Sequence, residues 1–216
     1  MLELFQDIDF CVNTKAYWVL RHLLYQQQHG IGMNLTLIVL PFETTTTTIA
    51  RDGETIEVAP TTKANLTQQL IEGNVAPFSL IEFAKGHGPT DFDKCLSNAT
   101  DVLYRIVYEN RFEPYVVARK EGLPQYWTGF RGHYYNKFSW FMELTRAGYQ
   151  YQVARDFFVV HVGPSSKSVD YERSKWEKEE YSERFMVYLK ETYGEVEKKR
   201  TKKKSEKQDT RLRQRR

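Results

Sequence analysis

The stretch Leu35-Thr36-Leu37-Ile38-Val39-Leu40-Pro41-Phe42 decides the fold. It is a continuous apolar run of strand length, which fits a strand buried inside a sheet. Helical signals flank it. Upstream, Asn13 or Thr14 can cap a helix running to about Gln28, with Tyr17, Leu20 and Leu24 on one face and Gly30 as its stop. Downstream, Thr62 can cap a second helix with Leu66, Leu70 and Ile71 inward, ended by Gly73. Before the first helix, Leu2 to Phe10 reads as a strand. Strands mixed with helices in this way predict a layered α/β domain.

The same reading extends through the rest of the chain. Thr44 to Pro60 reads as a loop or short hairpin, Lys85 to Thr90 as a glycine-rich loop, and Gly122 to Tyr134 as a loop dense in aromatics. Val102 to Tyr108 and Tyr115 to Ala118 read as strands. Asn136 can cap a helix carrying Phe138, Phe141, Met142 and Leu144 and closed by Gly148. Two more strands follow, Tyr149 to Ala154 and Phe157 to Val162, with His161 near the end of the second. Asp170 to about Tyr193 is a charged helix with Trp176, Phe185, Met186 and Leu189 as its seam, stopped by Gly194.

Composition narrows the function classes. The chain has 216 residues, 41% hydrophobic, enough for one sizeable core. Its net charge of +3 misleads. Lys198 to Arg216 hold 11 Lys/Arg and 2 Asp/Glu, a tail of net +9, which leaves −6 for the remainder. An acidic body predicts no nucleic-acid partner. The tail reads as a solvated, disordered segment; a polyanion-binding role is the alternative. Two cysteines, Cys11 and Cys95, specify neither a disulfide scaffold nor a zinc site, and Cys11 reads as a buried thiol. The sequence has no signal peptide and no apolar run of about 18 residues. Sequons at Asn34, Asn65 and Asn98 favour a secretory compartment, weakly, because each is common by chance.

Asp7-Ile8-Asp9 ends the first apolar run. Two carboxylates at the end of a buried strand are costly unless something pairs them, and a divalent cation carrying a diphosphate is one such partner. An exposed strand-end turn is the other reading of the same three residues.

In order along the chain, Asp7-Ile8-Asp9-Phe10, Pro41-Phe42-Glu43-Thr44, Lys85-Gly86-His87-Gly88-Pro89-Thr90-Asp91-Phe92, Phe112-Glu113-Pro114-Tyr115, Phe130-Arg131, Asn136-Lys137, Met142-Glu143-Leu144 and Phe158-Val159-Val160-His161 form a series. The series resembles glycosyltransferase family 49, the family of the beta-1,4-glucuronyltransferase of the dystroglycan glycan pathway and of the glucuronyltransferase half of LARGE. The resemblance runs from about residue 2 to 195. It implies a GT-A fold, an α/β domain with a mixed sheet, of which residues 1–195 would be the C-terminal portion and 196–216 a basic tail. Only six residues precede Asp7, so the nucleotide-binding half expected of such a fold would lie outside this sequence.

The resemblance further implies an inverting, metal-dependent transferase that moves a sugar, glucuronic acid, from a UDP donor to a glycan acceptor on a glycoprotein. Such enzymes are type II proteins of the Golgi lumen, held to the membrane by an N-terminal anchor. Mn²⁺ suits carboxylate and imidazole ligands and bridges phosphate oxygens. Asp7, Asp9 and His161 are the expected metal ligands, with Asp7 free to serve the donor ribose instead. By itself a strand-end histidine is more often a packed residue; the ordered blocks reverse that weighting for His161. His87, Asn136 and Lys137 are the expected substrate-binding residues. Read locally, His87 is equally a residue of a tight loop and Asn136 equally a helix cap. Glu113 is the candidate catalytic carboxylate, able to orient sugar hydroxyls or to cap a buried network. One block departs from the family: relatives often carry an acidic pair where this chain reads Trp127-Thr128, and neither side chain can act as a carboxylate base. The competing reading is therefore a catalytically inactive member that binds glycan or a partner.

Overall fold

The computed structural model describes residues 2–5, 10–13, 16–17, 21, 34–45, 59–97, 100–130, 135–162 and 171–195, with 2–5, 10–11 and 171–180 by their backbone alone. The strands are β1 (Leu2–Phe5), β2 (Phe10–Val12), β3 (Leu35–Thr44), β4 (Val75–Pro77), β5 (Leu103–Ile106), β6 (Tyr115–Arg119) and β7 (Gln150–His161). The helices are α1 (Lys63–Glu72), α2 (Ala84–His87), α3 (Phe92–Leu96), α4 (Asn136–Arg146) and α5 (Tyr171–Tyr193), with a 3₁₀ turn at Gly88–Thr90 between α2 and α3. Ala16, Tyr17 and Arg21 are also helical. The strands join in one mixed sheet in the order β1-β6-β3-β7-β2, with β4 on β3 and β5 on β7. This is the α/β architecture with a mixed sheet that the sequence predicts.

The apolar run at 35–42 is explained by burial on both faces. Ile38, Leu40 and Phe42 point into one cluster with Val116, Trp140, Phe141, Leu144, Val153 and Phe158. Leu37 and Val39 point the other way, with Tyr115, Val117, Phe157, Val159 and Ala16. Side chains alternate along a strand, so only a strand covered on both sides needs every position apolar. β3 is parallel to β7 and antiparallel to β6.

Several expectations need correction. Leu2–Phe10 is not one strand: β1 pairs with β6 and β2 with β7, at opposite ends of the sheet order. Phe5 and Phe10 are five residues apart, which limits their separation to about 17 Å. Four inter-strand spacings of a flat sheet would need about 19 Å. The sheet therefore curls.

The two strands expected at 149–162 are one, β7, continuous through Arg155 and Asp156. Its pairing with β3 shifts register, from Ile38 opposite Val153 to Leu40 opposite Phe158, so the polar pair falls in a bulge, not a turn. Arg155 is buried there. Its guanidinium donates to the carbonyls of Lys94, Cys95, Ser97 and Asp101 and lies against the Tyr104 ring.

The segment 85–90 is not an open loop but the end of α2 and the 3₁₀ turn. In α1, Thr62 Oγ1 caps the amide of Asn65 and Gly73 takes the left-handed conformation, as expected. Leu66 is buried, but Ile71 is 78% exposed: it lies about 140° around the helix from Leu66. In α5, Phe185 and Leu189 are buried while Met186 is half exposed for the same angular reason. Cys95 is a free, buried thiol. Among the described residues, no helix is long and apolar enough to cross a membrane. The expectations for Gly30, residues 46–58, Asn98, the Cys11 and Trp176 side chains, and the tail from 196 fall outside what is described.

Candidate functional site

The register of the sheet sets the site. At the end of β7, His161 stands opposite Glu43 on the parallel neighbour β3 and opposite Phe10 on the antiparallel neighbour β2. Asp7 and Asp9 lie outside the described residues, and Phe10 is the residue covalently next to Asp9. Among the described residues, no group of three or more His, Cys, Asp or Glu side chains is gathered for a metal.

The chain leaving β4 supplies the centre of the site. Phe78 donates its amide to Pro41 O at 3.1 Å, and Ser79, held at a φ of 46°, donates its amide to Glu43 Oε1 at 3.0 Å. The two bonds hold the Phe78 ring against three others: His161 at 5.5 Å, His87 at 5.4 Å and Tyr115 at 6.3 Å between centroids. One phenyl ring thus touches both candidate histidines. Phe78 had no signal as a site residue, and Tyr115 was marked only as part of the Phe112-Glu113-Pro114-Tyr115 block. Phe78 follows an unremarkable Ala-Pro, and Tyr115 reads as an ordinary strand position.

His87 closes α2 and is only 4% exposed. It packs on Phe83 as well as Phe78. A Cβ on the preceding Gly86 would collide with the Phe83 ring, so glycine is required for this packing. Burial, with the positive charge of Lys137 as a second cause, pushes the His87 pKa down to about 4, so the ring is neutral at physiological pH. Its Nδ1 is buried without a hydrogen-bond partner.

Lys137 and Asn136 open α4. Lys137 Nζ lies 4.8 Å above the Tyr115 ring and 3.5 Å from its hydroxyl. Asn136 Oδ1 accepts from the Lys137 amide at 2.8 Å, so its side chain serves the helix start, one residue inside the cap position expected for it. Glu113 is half-buried, and its amide donates to Gly86 O at 2.9 Å, which ties the approach to β6 to the His87 turn. The fold therefore brings His87, Lys137 and His161 near Phe78 and Tyr115 from three separate segments, while Glu113 joins the His87 turn through its backbone and its carboxylate acts on Tyr108.

The aromatic loop packs on α5 and, through Phe130 stacked on Tyr135 at 5.5 Å, reaches the start of α4. Trp127 packs on Phe130, Tyr181 and Phe185, with ring separations of 5.1, 6.2 and 5.6 Å, and so forms part of the seat of α5. Tyr126 stacks on Trp140 at 4.7 Å, and the Trp140 indole donates to Pro124 O.

A mixed, curled α/β sheet is consistent with a fragment of a glycosyltransferase domain. The family described as "Glycosyl-transferase for dystroglycan" matches residues 2–199, and the chain belongs to it. It is 34% identical over 164 residues to "Xylosyl- and glucuronyltransferase LARGE1" of Danio rerio, covering 76% of this chain and 20% of that protein. It is 32% identical to the Homo sapiens LARGE1 protein of the same description, with the same coverage. It is 29% identical over 167 residues to "Xylosyl- and glucuronyltransferase LARGE2" of Homo sapiens, covering 77% and 22%. The chain thus spans about a fifth of the length of these relatives.

Proposed function

We propose that the site belongs to an inverting, Mn²⁺-dependent glycosyltransferase that moves glucuronic acid from UDP-glucuronic acid to a glycan on a glycoprotein in the Golgi lumen. Membership of the family supports transfer of a sugar from a donor to a glycan acceptor. The observation that carries the finer reading is the pairing of Phe10 with His161. It sets the residue after the Asp7-Ile8-Asp9 carboxylates directly across from an imidazole, a donor set whose chemistry fits Mn²⁺. Asp7, Asp9 and His161 would hold the ion. When bound, it supplies positive charge for the leaving diphosphate. The other side chains bind and orient. Phe78, only partly buried, is a ring against which a sugar can pack, and the buried Tyr115 supports it. His87 and Lys137 supply polar groups beside them, and Glu113 would orient or deprotonate an acceptor hydroxyl.

The experiment is a donor assay on the full-length protein with UDP-sugars and Mn²⁺. Turnover of UDP-glucuronic acid, lost in Asp9→Asn and in His161→Ala, supports the reading. No turnover of any UDP-sugar sinks it.

One observation favours a second reading, a silent glycan-binding member. Trp127 is engaged in packing α5 and offers no acid at the position where the family resemblance leads one to expect it. Glycan binding that persists after removal of divalent metal would support that alternative.

A further inference from the structure

Three Asn-x-Thr triplets, at Asn34, Asn65 and Asn98, are acceptor patterns for N-linked glycosylation, and the fold separates the first two. Asn98 itself lies outside the described residues. Asn34-Leu35-Thr36 runs into β3. Thr36 is wholly buried, and its Oγ1 donates to Gln150 O at 3.0 Å. Asn34 Nδ2 donates to Ala147 O at 3.3 Å, and a Cβ on Gly148 would stand 3.9 Å from it. The Asn34 carbonyl accepts from the Gln150 amide at 2.8 Å. Both polar side chains of this triplet are therefore built into the junction between β3 and the turn from α4 to β7.

Asn65-Leu66-Thr67 lies at the start of α1 and is arranged differently. Leu66 faces the core at 2% exposure, while Asn65 and Thr67 on either side of it are exposed. The helix cap uses the Asn65 backbone, whose amide donates to Thr62 Oγ1 at 3.2 Å. Asn65 Oδ1 accepts from Gln69 Nε2 at 3.2 Å, and among the described residues Asn65 Nδ2 donates to nothing. The neighbouring polar groups bond along the helix, Gln68 to Glu72 and Thr67 Oγ1 to Lys63 O. A bulky, solvated group suits a face that is polar and satisfied within itself.

We propose that Asn65 carries an N-linked oligosaccharide, which makes the outer face of α1 a solvent face of the full-length protein. The inference goes beyond the transferase reading and rests on its lumenal setting. The donor is an oligosaccharide joined through a diphosphate to a lipid. Asn65 Nδ2 bonds to the anomeric carbon of the first sugar, and the bond from that carbon to the diphosphate oxygen breaks. The diphosphate leaves with the electron pair, and one amide proton passes to a base. The product is a secondary amide whose Oδ1 still accepts from Gln69, and the bond from the Asn65 backbone to Thr62 is untouched. At Asn34 the same sugar would grow from the nitrogen that faces Ala147 and Gly148.

The test is site-resolved mass spectrometry of the full-length protein expressed in mammalian cells. Digestion with peptide-N-glycosidase in heavy-oxygen water turns a glycosylated Asn into a labelled Asp. The expected result is label at Asn65 and none at Asn34. Asn65→Gln and Thr67→Ala should each lose one glycan's shift in gel mobility, and Thr67→Ser should keep it. Protease protection in sealed microsomes separates the two readings. Protected, lumenal protein with unlabelled Asn65 overturns the proposal and leaves the transferase reading standing. Label at Asn34 in place of Asn65 overturns it as well. Protein that the protease digests is not lumenal, and the Golgi reading then fails on its own. In that case a cleavable signal peptide fused to the full chain delivers it to the microsome lumen. Label at Asn65 there upholds the acceptor site, and its absence overturns it.

Discussion

The Tyr188 hydroxyl donates a 2.5 Å hydrogen bond to Glu143 Oε1, and through it α5 is fastened to α4. Tyr193, one turn further on, donates to the same oxygen at 3.1 Å. Glu143 is 2% exposed. A carboxylate removed from water to this degree is held by the two phenols, and charge-assisted O–H···O bonds of this length are the strong kind. The bond to Glu143 raises the pKa of Tyr188, and burial followed by the Glu143 charge raises that of Tyr193.

Tyr188→Phe removes one of the two donors and is expected to destabilise the protein by about 2 kcal/mol, the scale of a hydrogen bond to a charged group. The loss should appear as a lower denaturant midpoint. It should also speed amide exchange across 181–193 relative to β3. Exchange that accelerates equally everywhere would argue against a local fastening.

Trp127→Asp places an acid in the aromatic loop, yet it withdraws an indole from Phe130, Tyr181 and Phe185. The expected outcome is a loss of about 2 kcal/mol of stability from the missing aromatic contacts, with no gain of transfer activity. Activity that rises in Trp127→Asp would show that the loop, not α5, governs this position.

His87 makes stability depend on pH. Its pKa falls from 6.5 unfolded to about 4 folded. Between those values the unfolded chain binds the proton and the folded one does not, so acid favours unfolding. The contribution is complete above about pH 6.5 and is lost as the pH falls toward 4. The shift corresponds to about 3 kcal/mol. His87→Gln should flatten the stability profile over that window in chemical denaturation at fixed pH steps. An unchanged slope would assign the acid sensitivity to another group.

Arg155→Leu strands the carbonyls of Lys94, Cys95, Ser97 and Asp101, which one buried guanidinium now satisfies. Unpaired buried acceptors of this kind should cost about 3 kcal/mol or more in total. The measurement is the thermal midpoint. Arg155→Lys is expected to recover little, because an ammonium cannot span acceptors fanned around a planar fork.

What the sequence by itself determined is what local chemistry controls. The apolar run at 35–42, broken only by Thr36, fits a strand covered on both faces, and Thr62 and Gly73 bracket α1 because a hydroxyl cap and a left-handed stop act within a few residues. The ordered blocks from Asp7 to His161 sufficed for the family. Tertiary structure decided the rest, because pairing and side-chain direction are properties of neighbours distant in the chain. Leu2–Phe10 divides between two edges only because the sheet curls. Arg155 sits inside β7 only because carbonyls from the segment around α3 converge on it. Ile71 and Met186 face solvent because the angle around a helix, not apolarity alone, selects what is buried. His87, Lys137, Tyr115 and His161 meet around Phe78, a residue with no motif of its own. Their neutral imidazole and adjoining ammonium arise from burial and proximity, which no single segment encodes.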